Sequence, residues 1–339
     1  MVRYCIVSVV VLALVLSVGG NAQAVVLKIA TLSPDGSSWM LKMREGAAKV
    51  AQATQNRVRF KFFPGGVMGN DQAVLRKIRV RQLQGGAFPG GTLSGYYPDA
   101  QIYGLPFKFR SLEEVYYVRE RMDPVIQKGI EKNGFVTFGL AGGGFSYIMS
   151  NQPIETVETL KQQKVWIPSH DKMIQEAMKG FAISSISLPI ADVRTGLQTG
   201  LIDTVAISPM GAIILQWHTQ VKYLTRMPLV YIYGVLAIDG KAFARIPADD
   251  QPVVRAIMGQ IWREMDANNR QENGQALKAI AAQGIQFVDP APEILTAWQD
   301  LAATVNQQIV AAGHISPAMA DMLDAHLNDY RSRQAQKSD

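Results

Sequence analysis

The feature that most constrains the fold is the alternation of short apolar runs with amphipathic stretches. Runs such as 25–30 and 202–207 have the length and composition of buried strands. Between two of these runs, residues 37–54 place Trp39 and Met43 on one face of a predicted helix. Turns rich in Gly, Pro and Asp separate the strands from the helices. This β-turn-α order predicts an α/β fold in which parallel strands are joined by crossover helices.

The chain length predicts two domains. A chain of 339 residues is too long for one ordinary hydrophobic core. The run 229–238 is long enough to pass from one domain to the other, and 249–282 predicts one long helix, or two abutting helices, that braces both. We expect domain 1 to comprise 25–148 and about 236–285. Domain 2 would comprise 149–235 and about 286–330, with 331–339 as a loose tail.

The N-terminal segment has the pattern of a secretory signal peptide. Arg3 supplies a positive charge, residues 6–18 form an apolar run, and Ala22-Gln23-Ala24 provides small residues of the A-x-A type. The apolar run is too short for a transmembrane helix, which needs about 20 apolar residues. The sequence therefore predicts cleavage after Ala24, residues 1–24 as the signal peptide, and a periplasmic location.

Charge and reactive residues exclude several classes of function. The net charge of +6 comes from scattered Lys and Arg residues, so a nucleic-acid partner is not predicted. The only cysteine, Cys5, lies in the leader, and the four histidines lack the H-E-x-x-H spacing of zinc hydrolases. No G-x-S-x-G motif is present. We therefore predict no catalytic residues, no metal and no cofactor, with a periplasmic hydrolase kept as the alternative from another class.

Six short stretches in a fixed order resemble the solute receptors of TRAP transporters, the DctP-like family. They are Leu27-Lys28-Ile29-Ala30, Phe63-Pro64-Gly65-Gly66 followed by Met68-Gly69, Leu105 to Arg110, Leu160 to Pro168, Gly196 to Asp203 and Val221 to Thr225. The resemblance covers nearly all of 25–330. It implies a two-domain periplasmic-binding-protein-like fold with hinge strands and a ligand enclosed between the domains. It also implies delivery of that small-molecule ligand to the membrane permease subunits of a secondary transporter.

Two departures from the family pattern bear on the ligand. The family carries a carboxylate-clamping arginine where this chain has Trp166, and often a second arginine where it has Ser146. An arginine fork binds a carboxylate by two parallel hydrogen bonds, and tryptophan cannot replace that chemistry. We therefore expect a hydrophobic organic acid or a similar ligand. The pattern also resembles a sub-branch with apolar clefts, some members of which work with a tetratricopeptide-repeat protein of the periplasm.

Several of the predicted ligand-binding residues lie in or beside loops that follow strands, where ligands bind in open α/β sheets. One of these loops is the glycine-rich stretch 85–92, interpreted as lining the cleft because glycine lets backbone approach another surface closely. The full predicted set is Thr31, Trp39, Gly86, Phe88, Thr92, Ser146, Tyr147, Trp166, Ser208 and Met210.

Alternatives remain open for several of these residues. Trp166 could pack in the core of the second domain, and Met210 and Trp217 could also be core residues. His218 could contact the ligand or bond elsewhere on the protein. The runner-up function is a receptor for a small polar carboxylate that uses an arginine other than the family one. Arg194 and Arg226, with Lys108 as a further cation, are candidates for that role.

Overall fold

The structure is a computed structural model that describes residues 24–338, so residues 1–23 of the predicted leader lie outside the described residues. Ten strands are described in this range: β1 (Val25–Thr31), β2 (Val58–Phe63), β3 (Gly85–Pro89), β4 (Phe135–Val136), β5 (Leu140–Ser150), β6 (Val165–Pro168), β7 (Ser185–Leu188), β8 (Thr204–Ile207), β9 (Tyr223–Asp239) and β10 (Gln286–Val288).

Eleven α-helices lie in the described range: α1 (Ser38–Ala53), α2 (Asp71–Arg79), α3 (Leu112–Lys132), α4 (Val157–Lys161), α5 (Lys172–Gly180), α6 (Val193–Gln198), α7 (Pro209–Ile214), α8 (Gly240–Phe243), α9 (Asp250–Ala282), α10 (Pro292–Ala311) and α11 (Pro317–Ser338). Short 3₁₀ helices occupy Gly90–Leu93, Pro98–Gly104, Ile190–Asp192 and Trp217–Gln220. None of these described helices is long and apolar enough to cross a membrane.

The ten strands form one sheet, in which eight follow the order β2-β1-β3-β9-β5-β8-β6-β7, while β4 and β10 each pair with an end of β9. Strands β1, β2 and β3 are parallel on one side, and β6, β7 and β8 are parallel on the other. The long strands β5 and β9 run antiparallel to each other through the centre and belong to both halves. Two α/β domains with hinge strands are therefore confirmed, and they share the two central strands.

The strand register leaves a gap between the two half-sheets. Strand β3 ends where Pro89 pairs with Gly234, and β8 ends where Ile207 pairs with Tyr147. Between these points, 142–146 of β5 and 230–233 of β9 pair with each other but with no third strand among the described residues. At about 3.3 Å per residue this stretch spans roughly 17 Å. We call it the unflanked segment; it is the floor of the space between the domains.

Helix α9 braces both domains, as predicted for 249–282. It has 33 residues and is therefore about 50 Å long. Its first half packs Met258, Ile261 and Trp262 into the core of the first domain. Its last turns bring Ile280 into the core of the second domain. The middle of α9 therefore passes over the unflanked segment.

The structure corrects the prediction of a loop over 85–92. This stretch is the central strand β3 followed by a 3₁₀ helix. Glycine is needed in it because a Cβ at Gly85 would lie 2.6 Å from the carbonyl oxygen of Ala237 on the neighbouring strand. Close packing inside the sheet, rather than exposure to a ligand, accounts for glycine here.

Strand β4 has only two residues, and the long strand that follows it is the glycine-rich β5. The C-terminal part of the chain forms two helices, α10 and α11, which meet at a turn. The tail after 331 is helical rather than loose, since Arg331 donates to both carboxylate oxygens of the buried Glu114. This ion pair holds α11 on the first domain.

Candidate ligand-binding site

A cavity of about 100 Å³ lies over the unflanked segment, beneath the middle of α9. It is lined by backbone and side chains from both domains and from both crossing strands. The lining residues are Leu112, Tyr116, Gly142, Gly144, Phe145, Tyr147, Pro209, Tyr231, Arg270, Asn273, Gly274 and Leu277. We call this space the floor cavity. Its walls are mainly aromatic and aliphatic, which is typical of small-molecule sites.

Among the described residues that line the floor cavity, Arg270 alone is charged. Its guanidinium carbon lies 3.8 Å from the centroid of the Tyr116 ring, which is a cation–π contact. Its Nη2 donates to Oδ2 of Asp266 at 2.8 Å, and 43% of its side chain is exposed. One guanidinium edge is thus held in place while the group remains accessible.

Asp266 connects Arg270 to a buried ion network. Its Oδ1 accepts from Nη1 of Arg119 at 2.7 Å and from the backbone N–H of Gly142 at 2.7 Å. Burial by itself would raise the pKa of Asp266, but the Arg119 charge and the Gly142 N–H overcome it and hold the pKa below its usual range. Asp266 is therefore ionised and can fix the position of Arg270.

Arg119 is not available to a ligand. Its guanidinium also donates to Asp123, to the carbonyl oxygen of Leu140 and to the hydroxyl of Tyr231, and its side chain is only 4% exposed. These protein groups occupy the donors of its fork. Arg119 is a structural residue that ties α3 to α9 and to the start of the unflanked segment.

Asn273 places an acceptor against the floor of the cavity. Its Nδ2 donates to the carbonyl oxygen of Asn269 at 2.9 Å, while its buried Oδ1 accepts from no group in the described part of the chain. The amide lies directly over Gly144, where a Cβ would come within 2.9 Å of Oδ1. Glycine at 144 is therefore what lets α9 approach β5 this closely.

Three predicted site residues lie at or beside the floor cavity. Tyr147 lines it, and burial raises the pKa of its hydroxyl. Ser146, the preceding residue, is buried, and its hydroxyl has no described partner. Ser208 precedes the lining residue Pro209, and its hydroxyl caps helix α7 by accepting from the Gly211 N–H.

Four predicted residues are buried or packed against a core. Trp166 is 6% exposed, and its Nε1 donates to the carbonyl oxygen of Leu188 on the adjacent strand at 3.0 Å. Phe88 and Met210 are buried as well. Trp39 packs edge-on against Trp262, and its Nε1 donates to Oδ1 of Asn269 at 3.2 Å. The ring of Trp39 also covers Gly234, at the domain-1 end of the unflanked segment.

The remaining three predicted residues come from the first half-sheet. Thr31 ends β1, is buried, and accepts from the N–H of Ser33 at 3.1 Å. Gly86 lies inside β3, where the ring of Phe88 already fills the space of a Cβ. Thr92 donates to Oδ2 of Asp71 at 3.0 Å. Burial raises the pKa of Asp71 to about 6, against the lowering effect of that bond.

Asp171, which belongs to the second domain, lies beside the turn Gly90–Leu93 that contains Thr92. A Cβ on Gly91 would lie 3.6 Å from Oδ2 of Asp171, so the two domains are in contact here. Asp171 caps α5 by accepting from the N–H of Ile174. Burial raises the pKa of Asp171 although backbone N–H groups of α5 stabilise its charge. Gly91 and Asp171 thus form a lip where the two domains meet.

The sequence analysis missed Arg270, Asn273, Tyr116 and Asp71. Arg270 and Asn273 belong to a polar stripe of α9 that, in the sequence, is indistinguishable from a solvated helix face. Their spacing of three residues, at the middle of a helix predicted to brace both domains, was the available signal. None of the alternative cations Arg194, Arg226 and Lys108 lines the floor cavity. His218 and Trp217 also lie elsewhere: His218 contacts the carbonyl oxygen of Ala212, and Trp217 is buried.

Metal binding has no support in the described range. No group of three or more His, Cys, Asp or Glu side chains within 24–338 is placed to hold an ion. The site offers one cation, aromatic walls and unpaired acceptors.

Two relatives resemble this chain over most of its length, and the first of them, YiiZ, is itself uncharacterized. It is 24% identical over 246 residues to the protein YiiZ of Salmonella typhimurium, covering 71% of this chain and 75% of that protein. It is also 24% identical to the 2,3-diketo-L-gulonate-binding periplasmic protein YiaO of Escherichia coli, covering 70% of this chain and 74% of that one.

A solved structure confirms the fold. The TRAP periplasmic solute-binding protein of a Sulfitobacter species, solved with bound β-D-galacturonate, superimposes with a TM-score of 0.80 at 19% identity. The match covers 89% of this chain and 99% of that protein.

The model of one family matches residues 29–312, which is most of the chain. Its members are solute-binding proteins, so the hydrolase alternative is set aside. The protein belongs to family 7 of the bacterial extracellular solute-binding proteins, the DctP family.

Proposed function

We propose that this protein is the periplasmic receptor of a TRAP-type secondary transporter and captures a small organic acid that carries an apolar body. The observation that carries the proposal is the floor cavity, whose aromatic walls surround a single cation, Arg270. The two domains would close on the ligand and present it to the membrane permease.

Arg270 would bind the carboxylate. A guanidinium has five N–H donors in a planar fork. Within the part of the chain that the structure describes, the Arg270 guanidinium donates one hydrogen bond, to Asp266. Its contact with the Tyr116 ring restricts the plane of the fork, so a carboxylate would be held in one orientation. Arg270 thus takes the part that the resemblance assigned to the residue replaced by Trp166.

The apolar body of the ligand would rest on aromatic side chains. Phe145, Tyr147 and Leu277 line the same cavity, and burial of an aromatic or aliphatic group against them contributes roughly 25 cal/mol per Å². A sugar acid would place its hydroxyl groups against these walls, where the hydroxyl groups would find no hydrogen-bond partners. This mismatch favours an acid with a hydrocarbon body.

Opening of the domains is part of the mechanism. The cavity of about 100 Å³ is smaller than the roughly 300–1,000 Å³ of typical ligand sites, so a ligand enters only when the domains part. The shared strands β5 and β9 are the connections that must flex. Ligand contacts that exist only in the closed form shift the population toward that form.

A second candidate is a receptor for a polar sugar acid. The relatives named above bind 2,3-diketo-L-gulonate and β-D-galacturonate, which are both carboxylates. In this chain Asp71 and Asp171 meet the same turn, Gly90–Leu93, and offer acceptors to hydroxyl groups. The only support for a tetratricopeptide-repeat partner is the resemblance of the sequence pattern to the sub-branch with apolar clefts.

The test is calorimetry on the purified protein after any bound ligand has been removed by unfolding and refolding. We expect phenylacetate to bind and the Arg270→Gln variant to lose about 10- to 100-fold in affinity, since it loses a charged hydrogen-bond donor. Arg263→Gln is the matched control, because Arg263 lies on the exposed side of the same helix. Equal affinity of Arg270→Gln and wild type would contradict the proposal.

Two further measurements separate the candidates. Binding of β-D-galacturonate but not of phenylacetate would replace the first candidate by the second. Delivery is tested by uptake of the bound acid into vesicles that contain a TRAP permease, measured with and without the receptor. Uptake that does not depend on the receptor would remove the transport role.

A further inference from the structure

We infer that Asn273 selects ligands that carry a hydrogen-bond donor next to the carboxylate, such as 2-hydroxy acids. The inference rests on the proposed function, because it takes Arg270 as the carboxylate site. It starts from the carbonyl oxygen Oδ1 of Asn273, which is buried at the floor cavity and accepts from no described group.

The amide of Asn273 is held in one orientation. Its Nδ2 donates to the carbonyl oxygen of Asn269, one turn earlier on α9. Its Cγ lies 2.8 Å from the position that a Cβ on Gly144 would occupy, so the strand confines the amide from the other side. Oδ1 is therefore a fixed acceptor, and a carbonyl oxygen can be satisfied only by a donor.

Asn273 and Arg270 lie three residues apart on α9, so their side chains are neighbours on one helix face. Cβ atoms at this spacing are about 5–6 Å apart. Both residues line the floor cavity. A carboxylate held by Arg270 would bring its adjacent carbon toward Asn273, and a hydroxyl on that carbon would reach Oδ1.

A ligand without that donor leaves the acceptor buried and unpaired. Sites built to hydrogen-bond a substrate hydroxyl reject analogues that lack it, because the desolvated protein group is then unsatisfied. The hydroxyl of Tyr231, which lines the same cavity, accepts from Arg119 and does not donate to Asn273 Oδ1. The unpaired Oδ1 of Asn273 therefore favours ligands that carry a hydrogen-bond donor.

The experiment compares mandelate with phenylacetate, which differ by one hydroxyl on the carbon next to the carboxylate. We expect wild type to bind mandelate about tenfold or more tightly, as one hydrogen bond to a buried acceptor implies. Asn273→Leu, of similar volume but without the amide, should bind the two acids equally. Asn268→Leu, at an exposed position of the same helix, should keep the wild-type ratio.

The outcomes are distinguishable. If neither acid binds wild type, or Arg270→Gln binds both as wild type does, the proposed function fails. If both acids bind through Arg270 but wild type shows no preference, or Asn273→Leu keeps the preference, the inference about Asn273 is overturned. If circular dichroism shows that Asn273→Leu does not fold, Asn273→Ala provides the same comparison, because its smaller side chain is easier to accommodate.

Discussion

The indole ring of Trp166 meets the ring of Trp217 edge-on, with 5.1 Å between the ring centroids and 83° between the ring planes. Both rings are buried in the core of the second domain. Edge-to-face pairs of this kind contribute about 0.5–1.5 kcal/mol beyond the area they bury. The departure from the family arginine at 166 is thus accompanied by a partner that stabilises the tryptophan inside the domain.

Trp166→Ala is expected to lower the free energy of unfolding by about 3–5 kcal/mol, because it removes a large buried ring and leaves a cavity. Trp166→Arg should be at least as harmful, since it buries a charge without a partner. Urea denaturation followed by circular dichroism measures both. Leu201→Ala, at a side chain 49% exposed, is the control and should change little. A stable Trp166→Arg protein that gains dicarboxylate binding would instead place residue 166 in the ligand site.

Gly90→Ala should destabilise the protein by about 1–3 kcal/mol, as overpacking does. A Cβ at Gly90 would lie 2.1 Å from the buried ring of Tyr233, whose hydroxyl donates to the carbonyl oxygen of Ala100. Gly95→Ala is the matched control, because a Cβ there meets nothing within 4 Å. Thermal melts of the two variants measure the difference. Equal melting temperatures would mean that the turn at Gly90–Leu93 can shift freely.

Asp71→Asn should stabilise the protein at neutral pH. Burial raises the pKa of Asp71 from 3.8 to about 6, so the folded form binds the proton more tightly than the unfolded form. The free energy of unfolding of wild type therefore falls as pH rises from about 4 to about 6. The variant does not lose this stability, because Asn has no carboxyl group to ionise. We expect a gain of about 1–3 kcal/mol above pH 6 that vanishes below pH 4.

Urea titrations at pH 3.8, 5 and 7 test that dependence on Asp71. Asn can still accept from Thr92, so the hydrogen bond itself is retained in the variant. Asp35→Asn provides the control, since the Asp35 side chain is 63% exposed. A gain that is the same at every pH would show that the carboxylate charge is not its source.

The pair Gly91→Cys and Asp171→Cys should report closure of the domains. A Cβ at 91 would lie 3.6 Å from an oxygen of Asp171, which brings the two new side chains within reach of a disulfide after small shifts. We expect ligand to speed disulfide formation, as followed by mobility on non-reducing gels. Each single-cysteine variant is the control. A rate that ligand does not change would contradict closure at this lip.

Patterns within one element made much of the fold predictable. Helix α9 follows from the pattern over 249–282, and most of β9 from the aromatic and aliphatic run 229–238, although the strand itself begins at Tyr223. The structures of the glycine-rich runs at 85–92 and 140–150 were harder to predict. Glycine usually signals a turn, but here it permits two strands and a helix to approach closely, and only their neighbours reveal this.

The candidate site was less accessible to sequence reasoning because its members are far apart in the chain. Tyr147 was predicted, whereas Arg270 lies 123 positions later on a helix with many exposed polar residues. Conversely, Trp166 and Phe88 have the aromatic character of ligand contacts but pack in cores. A side chain's chemistry is visible in the sequence, but the surface it faces depends on contacts made across the whole chain.

The shared strands also determine how the chain can acquire its structure. The first domain needs β9, α9 and α11 to complete it, and the second needs β10 and α10, so neither is finished by a contiguous stretch of sequence. Contacts such as that between Glu114 and Arg331 join residues 217 positions apart. Native pairings of such separation slow folding, because long loops must close before they are stabilised. Folding should therefore begin only when nearly all of the chain has been synthesised. Both domains should then form together in one cooperative transition.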